Sequence, residues 1–217
     1  MGKIRVMNEL PDSILIIEDL PSIRDLLEMT LRYKGYQVFS ASNGEEALEK
    51  LKEQTPALIV TDVLMPRMDG FSLVQRLRNE AATRQIPIIV ISATYIDPED
   101  KDFALKLGVT RFIEKPIDTE DFLLTIAEVL TEEDRPLVAE PLSQRDFNSG
   151  YRERLEHKLR YKSAQISRIE RLLRTLPESQ RQAFESMLTE ALYDRDLIQQ
   201  ELDALPSPFT SSSSSAD

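Results

Sequence analysis

The sequence predicts an α/β domain with a doubly wound, five-stranded parallel sheet, followed by an antiparallel α-helical hairpin of coiled-coil type. Three observations carry that expectation. Short apolar, β-branched runs alternate with amphipathic stretches over roughly the first 130 residues, the pattern of repeated strand–helix–strand units. Polar side chains stand directly after those apolar runs, at the strand ends where open α/β sheets gather their chemistry. Beyond Ser143, apolar residues recur in alternating steps of three and four, the spacing of a helical seam.

Taken in order, strands are expected near 14–18, 36–40, 57–61, 86–91 and 110–114, and helices near 21–34, 44–54, 70–80, 98–107 and 119–131. Several boundaries have local causes. Gly35 and Gly108 are suited to ending the first and fourth helices, Asn43 with Glu46 resembles a capping box, and Asp118 is placed to cap the fifth helix. From 132 to 143, charges together with Pro136 and Pro141 interrupt helical continuation, so this stretch reads as a linker.

The hairpin is expected over 144–205. Leu155, Leu159, Lys162, Ile166, Ile169, Leu173 and Leu176 mark the seam of its first helix, and Phe184, Leu188, Ala191, Arg195, Ile198, Leu202 and Leu205 that of its second. Pro177 between them suits the first turn of a new helix, where its missing N–H costs nothing. The first helix is rich in Arg and Lys and the second in Glu and Asp, which reads as solvated faces with flanking pairs across the seam. Residues 206–217, Ser-rich and of low complexity, are expected to be a disordered tail.

Composition narrows the function classes. With 38 acidic and 27 basic residues the net charge is −11, which disfavours an unspecific nucleic-acid or anionic-membrane surface unless the basic residues are segregated. The chain has no Cys, so disulfides, thiolate metal sites and a cysteine nucleophile are excluded. No stretch has the length and apolarity of a signal peptide core or a membrane span, and a cytoplasmic location is expected.

The strand ends carry the chemistry. Ile14–Ile17 runs into Glu18-Asp19, Ile59-Val60-Thr61 into Asp62, the run ending at Ile91 into Ser92-Ala93-Thr94, and Phe112-Ile113-Glu114 into Lys115-Pro116. If those strands are parallel neighbours, an acidic pair, a single carboxylate, a hydroxyl and a lysine converge. In this order, and with Met65-Pro66-Arg67-Met68-Asp69-Gly70 after Asp62, residues 12–131 resemble the receiver domain of two-component response regulators.

The resemblance implies a flavodoxin-like fold and a set of roles. Asp62 would be the phospho-acceptor. Glu18, Asp19, Asp62 and the backbone carbonyl of Leu64 would hold Mg2+, a hard cation that takes oxygen ligands. Lys115 would reach the phosphoryl oxygens, with Pro116 at a family position that has a cis peptide bond. Ser92 and Phe112 would form the switch, with Phe in place of the frequent Tyr, so that any switching works through packing. Glu18 stands where many receivers have Asp. Such a chain catalyses only its own phosphotransfer and dephosphorylation. Its expected partners are a histidine kinase or phosphotransfer protein and a second copy of itself, paired through the hairpin or through the face of the fourth helix, fifth strand and fifth helix.

The output is less marked. An apolar hairpin that covers its faces in a four-helix bundle favours a dimerisation or interaction module. The alternative is a transcriptional or RNA-binding antitermination regulator whose basic helix contacts nucleic acid, but no short helix-turn-helix stands in the sequence. His157, the single histidine, falls outside the seam and lacks the acidic neighbour typical of a phospho-accepting histidine, so it reads as a solvated surface residue.

Overall fold

The computed structural model describes residues 13–132 and 140–206. Most of the expected linker, nearly all of the Ser-rich tail and the amino-terminal segment therefore lie outside the described residues. The elements run β1 (Ser13–Ile17), α1 (Pro21–Tyr33), β2 (Gln37–Ala41), α2 (Gly44–Glu53), β3 (Leu58–Asp62), α3 (Gly70–Asn79), β4 (Ile88–Ser92), α4 (Pro98–Lys106), β5 (Arg111–Glu114), α5 (Thr119–Thr131), α6 (Gln144–Leu173) and α7 (Glu178–Ala204). The strands form one parallel sheet in the order β2-β1-β3-β4-β5. Strand order reverses between β1 and β3, so the crevice beyond their carboxyl ends is where a ligand site belongs.

The two-residue period of the strands divides the core. Ile14, Ile16, Leu58, Val60, Ile89 and Ile91 face α1 and α5, where Leu27, Leu31, Phe122 and Ile126 cover them. Leu15, Ile17, Ile59, Ile88 and Val90 face the other way, under Ala47, Phe71, Leu77 and Phe103. Both faces of β1, β3 and β4 are thus buried, which is why these strands read as continuous apolar runs.

Helix ends follow local chemistry. Gly35 and Gly108 take left-handed backbone conformations (φ 92° and 89°) after α1 and α4, as expected of Gly at such positions. Asp118 caps α5 by accepting from Glu120 N and Asp121 N. Asn43 caps α2 through Glu46 N at 3.0 Å, but Glu46 does not close the expected capping box. Its carboxylate reaches one residue further back, to Ser42 N (2.8 Å) and Ser42 Oγ (2.6 Å), because the serine offers two donors.

α6 and α7 form the expected hairpin, yet its faces are not left for a partner alone. Phe147, Tyr151, Leu155 and Ile198 belong to the same core cluster as Phe71, Tyr95 and Phe103. The rings of Phe147 and Tyr151 stack on Phe103 with centroids 6.1 and 6.3 Å apart, and Phe71 meets Tyr151 edge-on at 6.0 Å. Gly150 permits the approach, since a Cβ there would lie 2.8 Å from Phe103 Cε2. Further out, Ile166, Ile169 and Ala191 make a separate cluster with Leu173, Phe184, Leu188 and Leu192. The seam position Lys162 is satisfied across the hairpin by Asp194 at 2.6 Å.

Candidate functional site

β1 and β3 are neighbours in the sheet, so Glu18 and Asp19 after β1 and Asp62 at the end of β3 meet at the switch point. One carboxylate oxygen from each lies within 4.8 Å of the others. The Asp62 carboxylate is fixed in direction: Oδ1 accepts from Val63 N (2.6 Å) and Leu64 N (3.3 Å), which leaves Oδ2 to face the crevice. Gly70 is required for that turn, because a Cβ there would run into the Asp62 carbonyl, and its N–H bonds Val63 O at 2.8 Å. Arg24 supports the acidic pair from behind by donating to Glu18 O at 2.7 Å.

Lys115 comes from the end of β5, two strands away from β3. Its ammonium is ion-paired to Asp62 Oδ2 and donates to Glu18 Oε2 at 2.9 Å. The Lys115–Pro116 peptide bond is cis, as the resemblance implies. Ser92 at the end of β4 is fully buried, and its Oγ accepts from Thr94 N (3.2 Å) and Tyr95 N (3.0 Å). Phe112 is half-buried and packs against the cluster that contains Phe71 and Phe103. His157 is exposed on α6. The structure therefore brings Glu18, Asp19, Asp62 and Lys115 together, with Ser92 on the strand next to β3.

Charge in the crevice is unbalanced. Burial, reinforced by the charge on Asp62, pushes the Glu18 carboxyl up to about 7. Burial also raises Asp62, against the opposing pull of Lys115 and the two amides. Burial acts to lower Lys115, but the charges on Asp62 and Glu18 outweigh it and raise its pKa. Three carboxylates and one ammonium leave two negative charges when all are ionised, and the donors are hard oxygens. That set fits a divalent cation of the magnesium kind.

Sequence reasoning missed the residues that tie the hairpin to this end of the sheet. Lys158 on α6 is 3% exposed and pairs with Asp97 and Asp100, each at 2.5 Å, at the start of α4. Phe147 and Tyr151 extend the seam upstream of Leu155 in steps of four, a spacing that does signal a further buried face. Tyr193 on α7 hydrogen-bonds Asp19 Oδ2 at 3.0 Å, and nothing in its local sequence marks it.

A parallel sheet with carboxylates and one lysine gathered at its switch point defines a domain of the doubly wound class. Residues 14–127 match the family described as "Response regulator receiver domain", and the chain belongs to that family. A "Probable transcriptional regulator ycf27" of Porphyridium aerugineum is 40% identical over 124 residues, covering 57% of this chain and 50% of that protein. The chain spans about half the length of the curated relatives it matches. Among solved structures, the signal receiver domain of a signal transduction histidine kinase from Syntrophus aciditrophicus is similar at TM-score 0.53 and 35% identity, over 58% of this chain and 94% of that one. The receiver domain of sensor histidine kinase PA1611 from Pseudomonas aeruginosa PAO1, with a magnesium ion coordinated in its active site cleft, is similar at TM-score 0.51 and 26% identity, over 55% of this chain and 98% of that one. The matches lie on the receiver domain, and the hairpin has no recognised family.

Proposed function

We propose that Asp62 accepts a phosphoryl group from a histidine kinase or phosphotransfer protein and that the hairpin carries the output. The observation that carries this is Lys115 bridging Asp62 and Glu18 inside a three-carboxylate crevice. Asp62 attacks phosphorus through a carboxylate oxygen; the new O–P bond replaces the P–N bond of phosphohistidine, whose electron pair returns to the imidazole. Lys115 neutralises charge on the phosphoryl oxygens, and the amides of Val63 and Leu64 hold the nucleophile in line. Glu18, Asp19, Asp62 and the Leu64 carbonyl are the groups that would hold Mg2+, which supplies further charge neutralisation when bound. The magnesium in the PA1611 receiver supports that assignment.

Ser92 would turn toward the phosphoryl group and Phe112 would repack. Ser92 Oγ now holds the amides of Thr94 and Tyr95, and Tyr95 lies under Phe71 and beneath the Lys158 ammonium, so a moving hydroxyl disturbs the hairpin's seat. A second reading, nucleic-acid binding by α6, is favoured by relatives named as transcriptional regulators. Against it, two cations of α6, Lys158 and Lys162, are already consumed by Asp97, Asp100 and Asp194. The site assignment is tested by intact-mass analysis after treatment with acetyl phosphate in Mg2+. The wild-type chain gains one phosphoryl group and Asp62→Asn gains none; equal labelling of the variant would remove Asp62 from the reaction.

A further inference from the structure

The crevice above Asp62 is not walled by the receiver domain alone. Part of α7 faces it, so that Ser186, Glu190 and Tyr193 stand opposite Asp62, Thr94 and Lys115 around a chamber of about 620 Å3. The Tyr193 hydroxyl donates to Asp19 Oδ2 at 3.0 Å, an oxygen of the acidic pair. Tyr193 is itself 45% exposed, and its hydroxyl gives this stretch of α7 a polar tie to the receiver domain.

Resting on the assignment of Asp62 as phospho-acceptor, we infer that Tyr193 is a latch. Its hydroxyl and a hydrated magnesium ion compete for Asp19, so that loading the site at Asp62 releases the Ser186–Asp194 stretch of α7 from the receiver domain. Two effects act in the same direction. A cation at the acidic pair takes the acceptor that Tyr193 uses. A phosphoryl group on Asp62 adds negative charge to a chamber already lined by Glu190 and Asp194, the latter paired with Lys162 at 2.6 Å. Within this stretch Ala191 packs into the outer apolar cluster of the hairpin, and beyond it Ile198 packs into the receiver core. Release therefore means loss of the receiver contact, with α6 and α7 still packed on each other. The hairpin would then read the phosphorylation site directly, as well as through Ser92 and Phe112.

Linkage makes the latch reciprocal: whatever magnesium does to the Tyr193 contact, removing that contact does to magnesium affinity by the same factor. The experiment uses the full chain. Calorimetric titration with Mg2+ compares the wild type, Tyr193→Phe and, as a control, Tyr161→Phe, a tyrosine on α6 that is 63% exposed. Tyr193→Phe should bind Mg2+ roughly 3- to 10-fold tighter, as the loss of one partly exposed hydrogen bond implies, and Tyr161→Phe should match the wild type. Amide hydrogen exchange with Mg2+ and beryllofluoride should rise across Ser186–Asp194 in the wild type and already be raised in Tyr193→Phe. Unchanged Mg2+ affinity in Tyr193→Phe, or unchanged or increased protection of Ser186–Asp194 on loading, overturns the latch. Beryllofluoride uptake is read separately by fluorine NMR: if the wild type takes none, the phospho-acceptor assignment fails, whereas uptake without a response in α7 removes only the latch.

Discussion

Asp62 illustrates how a single carboxylate acquires a role from its surroundings. Two amides fix one oxygen, Lys115 meets the other, and Glu18 and Asp19 stand close enough to share an ion. A second residue, Glu201 on α7, shows the same physics without the same chemistry. Burial, and then the charge on Asp69 at the start of α3, push its carboxyl up to about 9 from an ordinary 4.5. The docked hairpin therefore holds a proton that the released one gives up between those values. The contribution of Glu201 to docking is fully present below about pH 4.5 and is lost as the pH rises toward about 9. Glu201→Gln should flatten this dependence and strengthen docking at neutral and alkaline pH, measured as hydrogen exchange of α7 against pH in both chains. An equally steep dependence in the variant would place the titrating group elsewhere.

At the scale of elements, the receiver strands and helices were legible to within a residue or two at most boundaries. Their burial on both faces leaves continuous apolar runs, and Gly35, Gly108 and Asp118 punctuate them. The convergence of Glu18, Asp62 and Lys115 was also legible, because parallel strands put their carboxyl ends on one side. What was not legible is where the hairpin sits. A heptad seam specifies that two helices pair and says nothing about a third surface, and contacts such as Tyr193 with Asp19 span 174 positions in sequence. Only the Phe147–Tyr151–Leu155 spacing hinted at a second buried stripe. That docking depends on the close approach at Gly150. Gly150→Ala forces the added methyl against Phe103 and should cost about 1–3 kcal/mol of docking stability. The expected readout is faster proteolysis within α6 and α7 with the receiver domain intact, and wild-type resistance would mean that Phe103 moves aside at no cost.

For the whole molecule, the proposed phosphorylation site and the hairpin stand on one continuous core. Phe71, Tyr95 and Phe103 belong at once to the receiver and to the seat of the hairpin. The outer half of the hairpin is free to serve another purpose: Leu172 and Met187 are exposed beside the outer apolar cluster, a surface that a second hairpin would cover in a four-helix bundle. Light scattering with and without beryllofluoride should find the mass shift between one and two chains on loading, and a constant mass would assign the hairpin's output to a different partner. No helix among the described residues is long and apolar enough to cross a membrane. Everything above depends on where the phosphoryl group resides. The most direct measurement is borohydride reduction of the chain after reaction with acetyl phosphate in Mg2+, which converts an aspartyl phosphate to homoserine, followed by peptide sequencing. Homoserine at position 62 is the predicted result; homoserine at another aspartate, or Asp62 recovered unchanged from a phosphorylated chain, would contradict the account.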